Sequence, residues 1–424
     1  MNKLDFDKFL FADFHIHSRY SRACSTNITI ENLVKWAKIK GLNILGTGDF
    51  THPLWLKEIK EKLKEKNGFY YYEDFPFIIT GEISLIYTQE QDENKSPITN
   101  FENKIRRGRR IHLVILVPNL ETADKINSYF DTKGRRDYDG RPIFKIPGNE
   151  FVKAMMKISK EIEIIPAHIW TPWFGIFGSM SGFDSLKECF KEELENIHAI
   201  ETGMSSDPEM NWRIKELEDK AIVSFSDAHS FWPFRLGREA TIFNKTDSYS
   251  GIIEQIRKKS FFGTIETDPA YGKYHWDGHR DCNFSSSPEE SRKLKGICPV
   301  CGKPLVIGVD NRVEQLASHE KGFKLKNAKP FYKLLPLHEL LSLVLESPLE
   351  SKNTWKKYNE LIEIFGNEFN ILLNVSKEEF ANKNVDEKTI DIILRNREEK
   401  IKVKPGYDGE YGKALLVEVQ EKLF

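Results

Sequence analysis

Two short segments of this chain end in residue types that bind metal ions. Phe11-Ala-Asp13-Phe-His15-Ile-His17 stands near the N-terminus, and Val223-Ser-Phe-Ser-Asp227-Ala-His229 stands far downstream. Each reads as a short apolar strand followed by ligands. Alternate side chains of a strand share a face, so His15 and His17 point one way, as do Asp227 and His229. Two such pairs at strand ends can converge on one pocket, the way a (β/α) barrel builds its active site.

Further candidates fall at similar places. Gly41-Leu-Asn-Ile-Leu-Gly-Thr-Gly-Asp49 reads as a buried strand ending in a carboxylate, with His52 just beyond. Phe77-Ile-Ile-Thr-Gly-Glu82 is a strand ending in an acid, and Ile111-His-Leu-Val-Ile-Leu-Val117 carries His112. Ile162-Glu-Ile-Ile-Pro-Ala-His168 and His198-Ala-Ile-Glu201 repeat the scheme. A lone histidine in an apolar strand is usually a satisfied core residue. Here most histidines of the region sit at or beside strand ends, and acids do the same. Mixed His and carboxylate ligation suits Zn²⁺, Mn²⁺ or Fe better than an all-oxygen Mg²⁺ site. Glu82 could bridge two metals, an arrangement that assists phosphoester displacement.

The elements that must position these residues alternate. Helical spacing is expected over Ile28–Lys38, with Thr29 as N-cap, and over Leu54–Lys66. Alternating β and α over residues 1–270 argues for a barrel-like α/β architecture. Residues 271–310 are polar with little periodicity, and 311–424 look mainly helical. We therefore expect a metal-dependent barrel over 1–270, a small zinc-binding module over 271–310 and a mainly helical C-terminal region over 311–424, to which the family resemblance described below assigns DNA binding.

The module rests on His279-Arg-Asp-Cys282 followed by Cys298-Pro-Val-Cys301-Gly302. This spacing approaches the paired-knuckle zinc pattern with His in place of the first Cys. Four soft or borderline ligands with no open position indicate structural Zn²⁺, which would supply folding energy to a segment without a core. His275 is a competing fourth ligand, and a redox Cys-x-x-Cys is the competing chemistry. Cys24 and Cys189 stand alone, so there is no disulfide framework.

Net charge is −1 over 424 residues, so any attraction to nucleic acid must come from local patches. Lys104-Ile-Arg106-Arg107-Gly-Arg109-Arg110 is a basic run before a strand, and Lys133-Gly-Arg135-Arg136-Asp-Tyr-Asp-Gly-Arg141 is a second basic loop. Both are candidate phosphate contacts, although such runs are usually solvated loops. After His168 comes an aromatic, Gly-rich stretch with Trp170, Trp173 and Phe174. It reads either as hydrophobic cover for a pocket or as a stacking wall for a base taken out of the duplex. No apolar run approaches the ~18 residues of a membrane span. The N-terminus lacks a signal-peptide core, and the expected location is the cytoplasm, at the nucleoid of a prokaryote.

The ordered motifs His15-Ile-His17, Gly48-Asp49, Gly81-Glu82, His112, His168 and Ser226-Asp-Ala-His229 resemble those of the PHP (polymerase and histidinol phosphatase) superfamily. That resemblance implies a distorted (β/α)7 barrel and a phosphoesterase. It implies one metal on His15, His17, Glu82 and Asp227, and a second on Glu82, His112 and His168. Asp49 and His229 would lie at a third position. The chain departs from the common pattern in having Phe50 after Asp49, and no histidine or acid over Tyr20–Ala23. The expected cofactors are thus structural Zn²⁺ plus two or three catalytic divalent ions (Zn²⁺, Mn²⁺ or Mg²⁺).

Tyr274-His-Trp-Asp-Gly-His-Arg-Asp-Cys282, Ser287-Pro-Glu-Glu, Gly296-Ile-Cys-Pro-Val-Cys-Gly-Lys303, Glu201 to Trp212, Gly237-Arg-Glu and Pro405-Gly-Tyr-Asp-Gly-Glu-Tyr-Gly412 resemble endonuclease Q, over nearly the whole chain. The resemblance implies a DNA-repair enzyme that cuts 5′ to deaminated bases (hypoxanthine, uracil, xanthine) and abasic sites. The corresponding mechanism is hydrolysis by metal-activated water, with the lesion base flipped into a pocket and Asp227, Glu82 and His229 as the catalytic set. The alternatives are a small-molecule phosphatase of the histidinol-phosphate type and a non-catalytic DNA-binding protein with a degenerate barrel. The terminal Gln420-Glu-Lys-Leu-Phe424 resembles the start of a sliding-clamp binding motif.

Overall fold

In a computed structural model, residues 3–89 and 107–415 are described. Arg106, the side chain of Arg107 and the clamp-like Gln420–Phe424 lie outside the described residues.

The architecture is mixed α/β around a large mixed sheet. Nine strands matter for the site: β1 (Phe9–Asp13), β2 (Ile44–Gly46), β3 (Phe75–Gln89), β4 (Arg107–Val117), β5 (Glu163–Pro166), β6 (Ala199–Glu201), β7 (Ala221–Val223), β8 (Ala240–Asn244) and β9 (Gly263–Glu266). β1 pairs parallel to β2, and β2 parallel to β3. β4 lies antiparallel between β3 and β5. β6 and β7 form a parallel pair. The Ile169 amide bonds to the Glu201 carbonyl at 3.1 Å, and the Thr202 amide to the Val223 carbonyl at 3.0 Å. The Ser224 amide then reaches Thr241 Oγ1 at 3.0 Å, and β8 pairs antiparallel with β1. Hydrogen bonds thus run from β1 through every strand to β8 and back. The interior of these strands is apolar: Phe11, Ile44, Ile79, Leu113, Ile164, Ile200, Val223 and Ile242 are all buried.

The helix Ile30–Lys40 forms where apolar residues recur at three and four positions, burying Ile30, Leu33, Val34 and Ala37. The Thr29 side chain accepts from the Asn32 amide, and Gly41, at φ +100°, ends the helix in the left-handed region. The next helix is shorter than expected. It spans Pro53–Lys62, and Lys64–Lys66 instead pairs antiparallel with Phe69–Tyr72. The reason is the turn Asn67-Gly68, whose residues both have positive φ (56° and 78°). Such a pair closes a tight hairpin and overrides the helical propensity of the lysines before it.

Downstream, Asp277–His279 and Phe284–Ser286 form a small antiparallel hairpin. Phe331–Lys333 pairs parallel with β9, so the large sheet continues into a stretch that the sequence marks as helical. Helices dominate from Leu337 to Arg397, followed by the hairpin Lys402–Lys404 and Lys413–Leu415. This part is locked to the first helix by Lys40, whose buried Nζ bonds Glu368 at 2.6 Å and the Pro233 carbonyl at 2.8 Å. Among the described residues, no helix is long and apolar enough to cross a membrane.

Candidate metal centres and cavity

The strand order brings His15, His17, Glu82 and Asp227 together, and separately Glu82, His112 and His168. Within each group one ligand atom per residue lies within 4.8 Å of the others. Glu82 belongs to both. Its Oε1 is 2.7 Å from His112 Nδ1 and 3.1 Å from His168 Nε2. Its Oε2 is 3.5 Å from His15 Nε2 and 3.2 Å from His17 Nε2. Register explains the first half: Ser84 lies opposite His112, so Glu82 and His112 are diagonal neighbours on one face of the β3–β4 pair. Asp227 Oδ1 completes the second half, 3.0 Å from His17 Nε2 and 3.5 Å from His15 Nε2.

The far ring atoms of these histidines are anchored. His15 Nδ1 faces Glu201 at 2.9 Å, His17 Nδ1 faces Asp49 at 3.0 Å, and His168 Nδ1 faces Thr171 Oγ1 at 2.9 Å. A carboxylate accepting the Nδ1–H fixes the tautomer in which the Nε2 lone pair points at the centre, the usual outer arrangement of a metal-bound histidine. His15 Nε2 is buried and has no hydrogen-bond partner. An orphaned imidazole nitrogen beside two carboxylates fits a divalent ion.

Asp227 is set by backbone geometry at φ +49°, just after Ser226. Asp13, at the end of β1, accepts from the Ser226 amide at 3.0 Å and from the Gly237 amide at 2.9 Å. Burial pushes the Asp13 carboxyl up to about 6 despite those bonds. For Glu82, burial favours the neutral form, but His112, Arg141 and His15 outweigh it and hold the carboxyl well below its ordinary range. Asp227 is likewise held well below, with His15 and His229 overcoming burial. Both therefore stand as anions, as ligation requires.

Two expected ligands sit apart from these groups. Both Asp49 oxygens are engaged: its Oδ1 faces His17, and its Oδ2 accepts from the Ser18 amide, Ser18 Oγ and Ser21 Oγ at 2.6–2.8 Å. In this arrangement Asp49 faces His17 Nδ1 from behind. His229 packs against His17 with ring centroids 4.4 Å apart and the rings tilted by 48°, and turns Nδ1 toward the Asp227 carbonyl. His52 packs against Tyr20 and bonds the Asp137 carbonyl.

The expected DNA contacts divide. Arg109 is buried, bound to the Gly182 carbonyl and to Glu188, and lies over the Phe183 ring. It is a structural residue, because residues from 107 onward form a strand whose alternation turns Arg109 inward and Arg110 outward. Trp170 is also withdrawn from any ligand: it is fully buried, and its indole N–H donates to Asn211 at 2.8 Å. Arg135 is exposed and paired with Asp137; Arg136 is paired with Asp131. Trp173 and Phe174 do line the site. Phe174 lies 4.3 Å from the His112 ring, and Trp173 meets Tyr274 edge to face.

They border a cavity of about 510 Å³ that reaches from His112, His168 and Asp227 outward to Tyr274 and Tyr411. Tyr411 lies on the C-terminal hairpin, with Lys273 Nζ 4.6 Å above its ring. Sequence reasoning placed Arg141 in a basic loop, and Tyr274, Tyr411 and Arg238 in motif segments, without bringing them to this cavity, because their positions depend on loops that meet only in the fold. Trp173-Phe174 directly after a ligand was the one local signal for the cavity.

A second group, His279, Cys282, Cys298 and Cys301, gathers its donor atoms within 4.8 Å. His279 and Cys282 come from the small hairpin and its turn. Cys298 and Cys301 come from a tight turn in which the Gly302 amide bonds the Cys298 carbonyl at 2.9 Å. Burial and the neighbouring thiols push Cys282 up to about 12, whereas backbone amides of Cys301 and Val300 outweigh burial and lower Cys298. Three sulfurs and one imidazole so close are a donor set suited to Zn²⁺. His275 is half-buried elsewhere and does not join them.

Against known proteins, the family described as the MJ0043 C-terminal domain matches residues 336–400. The uncharacterized protein MJ0043 of Methanocaldococcus jannaschii is 33% identical over 256 residues, which is 58% of this chain and 31% of that protein. The uncharacterized protein YqxK of Bacillus subtilis is 23% identical over 96% of this chain and 99% of its own length. Among solved structures, the lesion-specific endonuclease PfuEndoQ of Pyrococcus furiosus superposes with a TM-score of 0.82 at 28% identity, covering 98% of this chain and 99% of that one. Endonuclease Q in complex with a 27-mer duplex bearing an abasic lesion at the active site gives 0.83 at 29% identity, covering 97% and 98%. The resemblance to endonuclease Q carried by the motifs therefore extends in three dimensions to almost the entire chain.

Proposed function

We propose that this protein is a metal-dependent DNA-repair endonuclease that hydrolyses the phosphodiester 5′ to abasic sites and to deaminated bases. The observation that carries the reading is Glu82, whose two oxygens each serve one cluster of histidines. A shared carboxylate between two ligand groups suits displacement at phosphorus. His15, His17, Glu82 and Asp227 would hold one divalent ion, and Glu82, His112 and His168 a second; bound there, the ions would supply positive charge for the phosphoryl oxygens and acidify the attacking water. Glu201, Asp49 and Asp13 hold the ligands in place. The cavity beside them, with Trp173, Tyr274 and Tyr411 on its walls, has the aromatic lining that an extruded base requires.

We read β1 to β8 as the distorted barrel of the PHP superfamily over residues 1–270. The four-donor cluster is read as a structural zinc site within 271–310, and 311–424 as a region that grips DNA. A non-catalytic, degenerate barrel is disfavoured by the orphaned His15 nitrogen and the intact bridging acid. A small-ester phosphatase would have no need of the zinc module or the aromatic walls.

End-labelled duplexes carrying an abasic site, uracil or inosine, incubated with Mg²⁺, Mn²⁺ or Zn²⁺, should be nicked on the 5′ side of the lesion. Asp227→Ala should leave the fold intact and abolish the cut. Full activity in that variant, or hydrolysis of a chromogenic phosphomonoester without nicking, would overturn the assignment.

A further inference from the structure

Arg141 enters the site from a loop that has no ligand role. Its Nη1 bonds Glu82 Oε2 at 2.9 Å, the oxygen that faces His15 and His17. The side chain is largely buried, at 26% exposure, yet it lines the cavity next to His168 and Asp227. A guanidinium carries five donors in a rigid fork, and Glu82 engages one of them. A guanidinium stays charged across the working pH range, so this cation is permanent.

The loop before it closes the position that Asp49 would otherwise open. A Cβ on Gly140 would fall 2.2 Å from Asp49 Oδ2 and 2.3 Å from Ser21 Oγ, so only glycine lets the backbone approach this closely. The approach is pinned by the Gly140 amide on the Tyr20 carbonyl at 3.1 Å and by Thr51 Oγ1 on the Gly140 carbonyl at 3.2 Å. That place gives an ion a carboxylate already engaged on both oxygens, Oδ1 by His17 and Oδ2 by Ser18 and Ser21. It offers instead a fixed cation delivered one residue later.

We propose that Arg141 stands in for a third metal ion, as the group that neutralises the scissile phosphate. When DNA fills the cavity, its free donors take the non-bridging phosphate oxygens, which Arg can hold in bidentate fashion. This inference rests on the endonuclease reading and assigns that reaction a further catalytic residue.

Wild-type nicking of an abasic-site duplex tests the endonuclease reading itself; if wild type does not cut, that reading fails before Arg141 is considered. Given wild-type cutting, Arg141→Ala should lower the nicking rate by roughly a hundredfold or more, with metal bound per chain unchanged by elemental analysis. In an Asp227→Ala background, the slope of log affinity for the same duplex against log salt should fall by about 0.9 on adding Arg141→Ala, the signature of one lost phosphate contact. Arg141→Lys should keep most of that slope but recover little of the rate. An unchanged slope, an unchanged rate, or a rate loss that tracks loss of bound metal would overturn the proposal. The last result would reduce Arg141 to a residue that merely orients Glu82.

Discussion

The protein builds two metal-type clusters by opposite means. The strand-end cluster draws ligands from across the chain, with His17 and Asp227 separated by 210 residues. The cysteine cluster is local, with His279 and Cys301 only 22 apart. By loop-closure entropy the distant pair costs about 2 kcal/mol more to bring together. That cost is met by the sheet, because His15, His17, Glu82, His112 and His168 are buried, and His15, His17 and His168 are held from behind by other side chains. The cysteine cluster has no comparable support: Cys301 is exposed, and its surroundings are turns and a three-residue hairpin. The fold organises the first site, whereas at the second the ion would organise the fold.

The comparison breaks most readily at Glu82. Glu82→Gln keeps the shape but removes the shared charge, so nicking should fall by on the order of a thousandfold. Elemental analysis should find strand-end metal lost while zinc on the cysteines persists. Coordinated loss from both places would show that the two sites are not independent. Cys298→Ser should do the reverse. It should release the cysteine-bound zinc and expose residues 271–310 to limited proteolysis, with strand-end metal retained. An unchanged digestion pattern would mean that the module folds without its ion.

A smaller effect should follow from the second layer. Glu201→Gln leaves every ligand present but weakens the hold on His15 Nδ1, and a loss of metal affinity of about 10–100-fold is expected. No equivalent layer stands behind the cysteines to be tested in this way.

A last effect concerns pH. Glu239 and Glu266 are buried close together behind the strand ends, sharing Ser224 Oγ as a donor at 3.2 and 2.9 Å. Burial, and for Glu239 the neighbouring Glu266, raises both; Glu266 reaches about 8. The folded protein thus keeps protons that the unfolded chain releases near 4.5. Stability should fall as pH rises from the unfolded value through about 8, by at most about 1.4 kcal/mol per pH unit for each group. Glu266→Gln should flatten this dependence in thermal unfolding at fixed metal. A profile identical to wild type would remove the buried acids from the account.

Much of the strand-end site was legible because its residues sit where an apolar run meets a ligand type, a pattern written in consecutive positions. His15, His17, Glu82, His112, His168 and Asp227 could all be named on that basis. Arg109 and Trp170 could not be judged, since an arginine in a basic run and a tryptophan in a Gly-rich stretch look alike whether buried or exposed. Strand alternation and the Asn211 carbonyl decided those cases. The hairpin at Asn67-Gly68 was legible in principle, but the lysines around it suggested a continuing helix.

The amino-acid sequence alone determined the chemistry available to this protein: six strand-end ligands, four zinc-type donors and the motif resemblance to endonuclease Q. Tertiary structure decided the division of labour. It placed Asp49 and Glu201 behind His17 and His15, each carboxylate engaged by an imidazole and by neighbouring donors. It also brought Arg141 to Glu82, across 59 residues. The reason is that a side chain's role depends on which lone pairs and donors remain free after packing, and only the folded arrangement of strands and loops settles that.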